Sequence, residues 1–276
     1  MNFKQNNQIV IDKTNKRLKI FECEKDLESF ARRMEKLAVE HDLEKIILFG
    51  KDANYKEACL SLGFVFEGKI DGFFNGIEAY ILSRFLTKER EFSDNLVNEE
   101  QLLNSISETK PVTANHKLPE GYQIREANEE DAEQIVEIFN VVFKTYPSSM
   151  HEKEYVKKAL NTNVDLVVIE NELGEIVSLS SAEIDFERKN AEITDCATLP
   201  SERGKGLMYH MIQFSEKKMQ HRGIQNLFSI ARARSFGMNK VLYNHQYQYR
   251  GRLINNVHIS GNWENMNIWV KPLANK

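Results

Sequence analysis

In the second half of the chain, hydrophobic and polar positions repeat with the periods of helices and strands. A short strand at 122–124 precedes a helix that opens with Asn128 and Asp131, which have the spacing of a capping box. The apolar residues that recur along one face of this helix are Ala132, Ile135, Val136, Phe139, Val142 and Phe143. An irregular stretch at 146–149 then leads to a second helix, predicted over roughly 151–160.

Strand-like segments dominate the sequence that follows. Three of them, separated by short turns, predict an antiparallel meander. They lie at 166–170, 175–185 and 191–199. Pro200 ends the last strand, and a long helix is predicted from about 204 to 220, with Gly223 as its left-handed C-terminal glycine. The remaining predicted elements are a strand at 227–231, a short helix near 238–245 and a closing strand pair at 247–259 and 265–270.

The composition is typical of a globular protein. Of 276 residues, 41% are apolar and 28% charged, with 13 glycines and 5 prolines, which excludes disordered, collagen-like and low-complexity classes. The longest apolar runs, such as 46–49, are far short of the roughly 20 residues needed to cross a bilayer. The first 20 residues lack a secretory signal, so we expect a cytoplasmic protein without a membrane partner.

The polar stretch at 93–115 is the best candidate for a linker. It divides the chain into a smaller N-terminal α/β domain, 1–115, and a second domain, 116–276. The cysteines Cys23, Cys59 and Cys196 are odd in number and form no C-x-x-C pair. This argues against a disulfide framework and a zinc site, and favours buried thiols and no metal.

Charge is divided unevenly along the chain. The net charge is −4, but residues 117–199 carry 8 basic and 18 acidic residues, whereas residues 200–276 carry 12 basic and 3 acidic ones. A fold that joins these segments has an anion-attracting and a cation-attracting side, as a two-substrate enzyme needs, although uneven surface decoration gives the same counts. The basic residues form no stripe with stacking aromatics, so a nucleic-acid partner is not expected.

The most informative segment is AEITDCATLPSERGKGLM, residues 191–208. A predicted strand runs into Arg203-Gly204-Lys205-Gly206 and then directly into a helix, so free backbone N–H groups are expected at the positive end of the helix dipole. Glycines let a phosphate approach the main chain, and Arg203 and Lys205 add positive charge. The glycine spacing fits neither a Walker motif nor a dinucleotide fingerprint. The segment therefore predicts an anion site, with a simple tight turn as the alternative.

Together with the predicted order of elements over 120–270, this segment resembles the pyrophosphate loop of the GNAT-type acyl-CoA N-acyltransferases, Arg/Gln-x-x-Gly-x-Gly/Ala. Arg203 and Gly206 match its first two fixed positions, and Met208 stands where the family prefers a small residue. The resemblance implies an α+β fold with a mixed, mostly antiparallel central sheet flanked by helices, and acetyl-CoA as co-substrate. The residues it assigns to the coenzyme are Ala197, Thr198, Leu199, Arg203, Gly204, Lys205, Gly206, Leu207 and Met208.

Several stretches are more specifically similar to the β-lysine N-acetyltransferases. They are TDCATLP, RGKGLM, SFGMNKVLYNHQYQYRGRLINN and WENMNIW. This resemblance implies direct transfer of acetyl, in a ternary complex, to the side-chain amine of β-lysine, which gives the compatible solute N-acetyl-β-lysine, and a functional link to lysine 2,3-aminomutase. The alternatives are a GNAT-type transferase for another small amine or a peptide, and a non-catalytic acyl-CoA-binding sensor.

Acetyl transfer to an amine needs a base for the ammonium, a donor to the thioester oxygen and an acid for the thiolate. Glu192 and Asp195 are the best carboxylates; three residues apart, they face opposite sides of a regular strand unless a bulge intervenes, and Asp195 is favoured. The oxyanion donor is expected to be a backbone N–H near Ala197 or Thr198. Tyr243 is one residue out of register for the family's acid, and a core role is equally compatible with its position.

Other site residues are expected from position alone. For the family's pantetheine-contacting Asn, Ser235 has the spacing and Asn239 the residue type. β-Lysine carries two ammonium groups and a carboxylate, for which Tyr146, Asn256 and Glu264 are candidates, each with a structural role as the alternative. Cys196 is expected to be a packed thiol rather than a nucleophile.

The N-terminal region contains a second pattern. Residues 48–86 follow the same order of strand, helix, aromatic strand, loop and strand as residues 227–273, and Gly63–Gly68 corresponds to Gln246–Gly251. We interpret the N-terminal domain as a diverged half-copy of the acyltransferase fold. It contains no phosphate loop, so we expect it to serve packing, formation of a homodimer, or enclosure of the amine pocket.

Overall fold

A computed structural model describes residues 9–21, 26–112 and 117–273 of the chain. Cys23 and part of the predicted linker lie outside these ranges. The strands are β1 (Ile9–Asp12), β2 (Arg17–Ile20), β3 (Lys45–Gly50), β4 (Val65–Phe74), β5 (Ile77–Phe85), β6 (Gln123–Glu126), β7 (Val164–Glu170), β8 (Ile176–Asp185), β9 (Asn190–Thr198), β10 (Asn226–Arg232), β11 (Gln248–Ile259) and β12 (Asn262–Pro272). The α-helices are α1 (Leu27–Glu40), α2 (Ala53–Ser61), α3 (Lys88–Glu91), α4 (Leu96–Ser107), α5 (Ala132–Val142), α6 (Lys153–Leu160), α7 (Leu207–His221) and α8 (Phe236–Asn244). In these ranges no helix combines the length and apolar character required to cross a membrane.

One sheet joins the two halves of the chain. Its twelve strands follow the order β1-β2-β3-β5-β4-β11-β12-β10-β9-β8-β7-β6. Neighbouring strands are antiparallel except for two parallel pairs, β2 with β3 and β9 with β10. The capping box of Asn128 and Asp131 is present, as predicted. The expected α+β fold with a mixed, mostly antiparallel sheet is confirmed.

The strand order also shows the internal repeat. From the centre outwards, β4, β5, β3, β2 and β1 correspond in order and direction to β11, β12, β10, β9 and β8. A helix connects each parallel pair, α1 between β2 and β3 and α7 between β9 and β10. The half-copy of the fold therefore extends from β1 to β5, further towards the N-terminus than the sequence pattern indicates.

The two halves meet at equivalent positions. Gly68 of β4 pairs with Gly251 of β11, and these glycines correspond in the repeat. Beside them, the Lys45 ammonium lies 2.7 Å from a carboxylate oxygen of Glu67, with both side chains at most 1% exposed, and donates to the Ile254 carbonyl at 2.9 Å. Ile254 returns a hydrogen bond from its N–H to Glu67 at 2.6 Å. A buried, hydrogen-bonded ion pair thus fixes the register of the junction.

The stretch predicted as a linker is instead partly helical. It contains α4, in which Glu99 and Ile106 are buried. Glu99 accepts a hydrogen bond from the Asn265 amide at 2.8 Å. This helix packs against the C-terminal half because its apolar and acidic positions have partners there, so the polar composition of the stretch gave a misleading signal.

The sheet bends strongly, so that its two halves face each other. Strands β2 and β9 are seven positions apart, which is about 34 Å in a flat sheet. Even so, Lys19 of β2 and Glu192 of β9 interact electrostatically, and Phe73 of β4 packs edge-on against Phe228 of β10 with 5.7 Å between the ring centroids. The largest hydrophobic core includes residues from both halves. One face of the N-terminal half therefore covers the C-terminal sheet where β9 and β10 lie.

Candidate active site

Strands β9 and β10 pair for only part of their length. Their parallel register runs from Asn226 opposite Asn190 to Phe228 opposite Glu192 and stops there. Both strands continue, β9 to Thr198 and β10 to Arg232. They therefore splay apart beyond Glu192, and the edge of β9 that would pair with β10 is open.

A bulge lies in β9 at the start of this open section. Ser181 of β8 is opposite Thr194, whereas Leu179 is opposite Ala197, so β9 has one extra residue. Asp195, in the bulge, has a φ of 50°. An extra residue shifts the alternation of side chains by one position, which puts Glu192 and Asp195 on the same face of the sheet. From the sequence, both carboxylates could reach one site only if a bulge lay between them, and the structure contains that bulge.

Three carboxyl groups, Glu183, Glu192 and Asp195, form what we call the carboxylate cluster. Glu183 of β8 lies directly opposite Glu192, and Ser181, on the same face, donates to Asp195 at 2.7 Å. Burial raises the pKa of Glu192 to about 7; it also raises the pKa of Asp195, and that of Glu183 with help from its two acidic neighbours. The sequence analysis missed Glu183, although its period-two spacing from Ser181 on β8 was available.

Aromatic side chains lie beside the carboxylate cluster. The Tyr146 hydroxyl hydrogen-bonds to Asp195, and burial together with the Asp195 charge raises the tyrosine pKa. Burial and Asp195 raise the pKa of Tyr155 in the same way. Glu183, Glu192 and Tyr146 are only half-buried, so solvent reaches this face of the sheet. The structure thus brings Tyr146 to the predicted carboxylates.

The thiol of Cys196 is next to Asp195 in sequence. Burial and the neighbouring carboxylate raise its pKa, so the thiol stays protonated at neutral pH, which agrees with a packed thiol. Cys59 is buried, also as expected. Within residues 9–21, 26–112 and 117–273, no cluster of three or more His, Cys, Asp or Glu side chains has an arrangement that could hold a metal ion.

The open edge of β9 exposes backbone groups to the space between β9 and β10 beyond Glu192, which we call the splay. The Leu199 N–H donates to the Val177 carbonyl at 3.0 Å, so Leu199 faces β8. Peptide groups alternate between the two edges of a strand, and the backbone of Thr198 therefore faces the open side. Its carbonyl accepts from the Arg203 guanidinium at 3.3 Å. Of the two predicted positions for an oxyanion donor, Thr198 has the suitable direction.

The loop after β9 has the geometry of an anion site. Gly204 and Gly206 have φ values of 82° and 77°, which favour glycine, and no atom lies within 4 Å of where their Cβ would be. Gly206 precedes the 15-residue helix α7 and has no side chain to cap it. Within the described residues, the N–H groups from Gly204 to Met208 have no hydrogen-bond acceptor. They are therefore available to a phosphate at the positive end of the helix.

Two residues of this loop differ from the expectation. Lys205 donates to Tyr122 at 2.7 Å and to Glu202 at 2.9 Å, so this exposed ion pair has to open before the ammonium can contact a phosphate. Met208 is half-buried and packs against two hydrophobic cores, which accounts for a large residue at a position where the family prefers a small one. Arg203 is exposed and remains a candidate for the phosphates.

Two predicted residues of α8 have structural roles instead. The Tyr243 hydroxyl lies 2.7 Å from the Thr109 carbonyl and 3.2 Å from that of Ser107, so it ties α8 to the end of α4 and is not placed as an acid. Asn239 is fully buried; its amide donates to backbone carbonyls, and its oxygen accepts from Asn267 and Trp269. It therefore cannot contact pantetheine. Ser235 is half-buried with no side-chain cap bond and stays a prediction.

The other candidates for substrate binding are divided. Glu264 is 2% exposed and is held by Arg234, with one contact of 3.1 Å, so its charge is compensated and the prediction that it binds an ammonium is not supported. Asn256 is buried, its carbonyl accepts from Arg17 at 3.2 Å, and its side-chain oxygen has no partner among the described residues. Asn256 therefore keeps a free acceptor.

A splayed parallel pair beside an anion-binding helix start is the arrangement expected of an acyl-CoA N-acyltransferase. A family described as "Acetyltransferase (GNAT) domain" matches residues 123–238. The chain is 37% identical to N-acetyltransferase YodP of Bacillus subtilis, over 95% of this chain and 94% of that protein. It is 34% identical to a β-lysine N(6)-acetyltransferase of Methanococcus maripaludis, over 95% of each chain. It is also 32% identical to one of Methanosarcina mazei, over 89% of this chain and 97% of that protein. The chain belongs to the GNAT family of N-acetyltransferases.

Proposed function

We propose that the protein transfers acetyl from acetyl-CoA directly to the side-chain amine of β-lysine, in a ternary complex and without an acyl-enzyme intermediate. The observation that carries this proposal is the carboxylate cluster at the point where β9 and β10 separate. Three acidic groups there suit a substrate with two ammonium groups. The names of two relatives that match nearly the whole chain support β-lysine as that substrate.

The splay and the loop before α7 would hold acetyl-CoA, which GNAT acetyltransferases use. The free N–H groups from Gly204 to Met208 are suited to its pyrophosphate, and the open edge of β9 to its pantetheine arm. The Thr198 N–H, which faces the open edge of β9, would donate to the thioester oxygen as negative charge develops there. This step needs no side-chain nucleophile, in agreement with the protonated thiol of Cys196.

The sequence favours Asp195 as the base for the substrate ammonium. The hydrogen bonds and burial of the two side chains favour Glu192 instead. Asp195 is buried and accepts hydrogen bonds from Ser181 and Tyr146, which use its oxygens. Glu192 is half-buried, and its pKa near 7 allows it to accept a proton at neutral pH. It would take one proton from the substrate ammonium. The neutral nitrogen then attacks the carbonyl carbon and the C–S bond breaks. The nitrogen, which carries a positive charge after the attack, loses a second proton, and the departing thiolate takes up this proton.

The proposal includes the cellular setting that the family resemblance implies. The product would be the compatible solute N-acetyl-β-lysine, made in the cytoplasm from β-lysine that lysine 2,3-aminomutase supplies. A homodimer is not required to complete the site, because the N-terminal half already covers the face that carries the carboxylate cluster.

Release of free CoA from acetyl-CoA by the purified protein tests this function. β-Lysine, α-lysine and a panel of polyamines serve as acceptors, and mass spectrometry with NMR identifies the acetylated nitrogen. We expect a strong preference for β-lysine and acetylation of its side-chain amine. Turnover of another amine in preference to β-lysine would leave the reaction class intact and refute the substrate. Acetyl-CoA binding without turnover of any amine would instead indicate a sensor.

A further inference from the structure

Strand β2 of the N-terminal half has two faces of different character. Leu18 and Ile20 are fully buried in the core beneath α1. Arg17 and Lys19 alternate with them and are half-buried. Because successive side chains of a strand point to opposite faces, Arg17 and Lys19 lie on the face away from α1. This is the face turned to the C-terminal half.

A hydrogen bond of Arg17 and the electrostatic surroundings of Lys19 agree with that direction. The Arg17 guanidinium donates to the Asn256 carbonyl on β11 at 3.2 Å. Burial and the nearby Arg17 lower the pKa of Lys19, whereas electrostatic interactions with Asp12, Glu192 and Glu183 favour the charged lysine. The Lys19 ammonium therefore lies across from the carboxylate cluster, although 173 positions separate Lys19 and Glu192 in the sequence.

The two basic residues of β2 differ in their partners. Arg17 is ion-paired with Asp12 at 2.8 Å. Lys19 has no hydrogen bond, and no carboxylate oxygen within 4.0 Å, among the described residues. A half-buried ammonium loses hydration, and this cost is offset when an anion binds it. Lys19 thus faces Glu192 and Glu183 of the carboxylate cluster without a direct ion pair to either.

We infer that Lys19 binds the carboxylate of the amine substrate, so that the N-terminal half selects for amino acids over simple polyamines. This inference rests on the proposed function. A β-amino acid with a terminal side-chain amine has an anion at one end and an ammonium at the other. Held between Lys19 and the carboxylate cluster, it directs the side-chain amine towards Glu192 and the splay. A polyamine has no group for Lys19 and would bring a further cation against it.

The experiment compares β-lysine with its carboxamide, which has the same shape without the negative charge, and with 1,4-diaminopentane. The proteins are wild type, Lys19→Met, Lys19→Arg and the control Lys36→Met, which changes a lysine on the exposed face of α1. For Lys19→Met we expect the KM for β-lysine to rise about tenfold to hundredfold, as expected for loss of a charge-assisted hydrogen bond. The KM values for the carboxamide, the diamine and acetyl-CoA should change little. Lys19→Arg should keep the preference for β-lysine, and Lys36→Met should match wild type.

Three results would overturn the inference. If the wild-type enzyme has the same KM for the carboxamide as for β-lysine, it has no site for the carboxylate. If Lys19→Met raises the KM for β-lysine and for the carboxamide equally, Lys19 acts in folding. If the variant shifts the pH profile and keeps the preference for β-lysine, Lys19 acts on the titration of Glu192. If Lys19→Met unfolds, Lys19→Gln takes its place.

Failure of the proposed function has a different signature. Wild type would then acetylate an amine other than β-lysine, and the same comparison is made with that amine and its carboxamide. A carboxylate preference that depends on Lys19 would keep the inference while the substrate changes. A preferred amine without a carboxylate would refute both.

Discussion

Glu192 and Glu183 lie directly opposite each other on β9 and β8, and Asp195 is brought to the same face by the bulge. Three like charges this close cannot all ionise at neutral pH without a compensating cation. Lys19 and Arg17, both on β2, are cations nearby, and each favours the ionised form of Glu192. The pKa of Glu192 near 7 is thus the result of burial and Asp195, which raise it, and of two basic residues from the other half of the chain, which lower it.

The first prediction concerns the rate of acetyl transfer. If Glu192 accepts the ammonium proton, kcat/KM rises with pH through a group that titrates near 7, because only the carboxylate can act. Glu192→Gln should lower kcat by about 10²- to 10⁴-fold and remove this limb of the profile. Glu187→Gln, at an exposed position after β8, is the control and should behave as wild type. A Glu192→Gln enzyme with the wild-type profile would exclude Glu192 as the base.

The second prediction concerns stability. The pKa of Glu192 is about 7 in the folded protein, above the value of about 4.3 for an unfolded chain. The folded state therefore binds this proton more tightly. The resulting stability is fully present below about pH 4 and is lost as the pH rises through 7. Glu192→Gln cannot ionise and escapes this loss. Chemical denaturation measures the free energy of unfolding of both proteins. Relative to its difference from wild type near pH 4, the variant should gain stability at pH 8; a loss at pH 8 would contradict the burial argument.

At the scale of elements, local signals were sufficient for the helices and strands of the C-terminal half. The capping box at Asn128 and the glycines before α7 act through neighbouring residues, so the sequence could show them. The partners of Asn239 and Tyr243 are distant: Asn267 and Trp269 for one, and the end of α4 for the other. Side-chain roles that depend on such contacts could not be predicted from spacing along α8.

The bulge in β9 is a second feature that depends on distant residues and could not be predicted from the sequence. Sequence alternation separated Glu192 from Asp195, and only the pairing of β8 with β9 shows the extra residue. No glycine marks the position, since Asp195 itself adopts the positive φ. Aspartate tolerates this conformation better than most side chains. The carboxylate cluster was therefore only partly predictable, and Glu183 was missed with it.

The third prediction tests the start of α7. Gly206→Asp puts a carboxylate beside the free N–H groups, where it repels a phosphate and competes for its donors. Gly206→Asn is the matched control, because it has nearly the same size and tolerates a positive φ but carries no charge. We expect the KM for acetyl-CoA to rise at least about tenfold more in the Asp variant than in the Asn variant. Unchanged acetyl-CoA binding in Gly206→Asp would refute the phosphate site.

At the scale of the whole molecule, the site is built between two copies of related architecture. The repeat in the sequence related Gly68 to Gly251, but it could not show that these glycines pair with each other. The two glycines are equivalent positions of the two halves, and only the order of strands in the sheet shows that they meet. The same relation makes β2 the counterpart of β9, and it places Lys19 opposite the carboxylate cluster.

The junction between the halves gives the last prediction. Gly251 has a φ of 141°, and a Cβ there would lie 2.2 Å from the Glu67 carbonyl oxygen and 2.5 Å from the Gly68 Cα. Backbone atoms cannot move away without separating β4 from β11. Gly76→Ala is the control, with a φ of 94° and no atom within 4 Å, so it isolates the conformational strain. We expect Gly251→Ala to lower the melting temperature by on the order of 10 °C and Gly76→Ala by only a few degrees. At temperatures where Gly251→Ala stays folded, its KM should rise more for the amine than for acetyl-CoA, because the loop before α7 belongs to the C-terminal half alone, whereas the amine lies between the halves. Equal melting temperatures in the two variants would show that the halves do not depend on this contact.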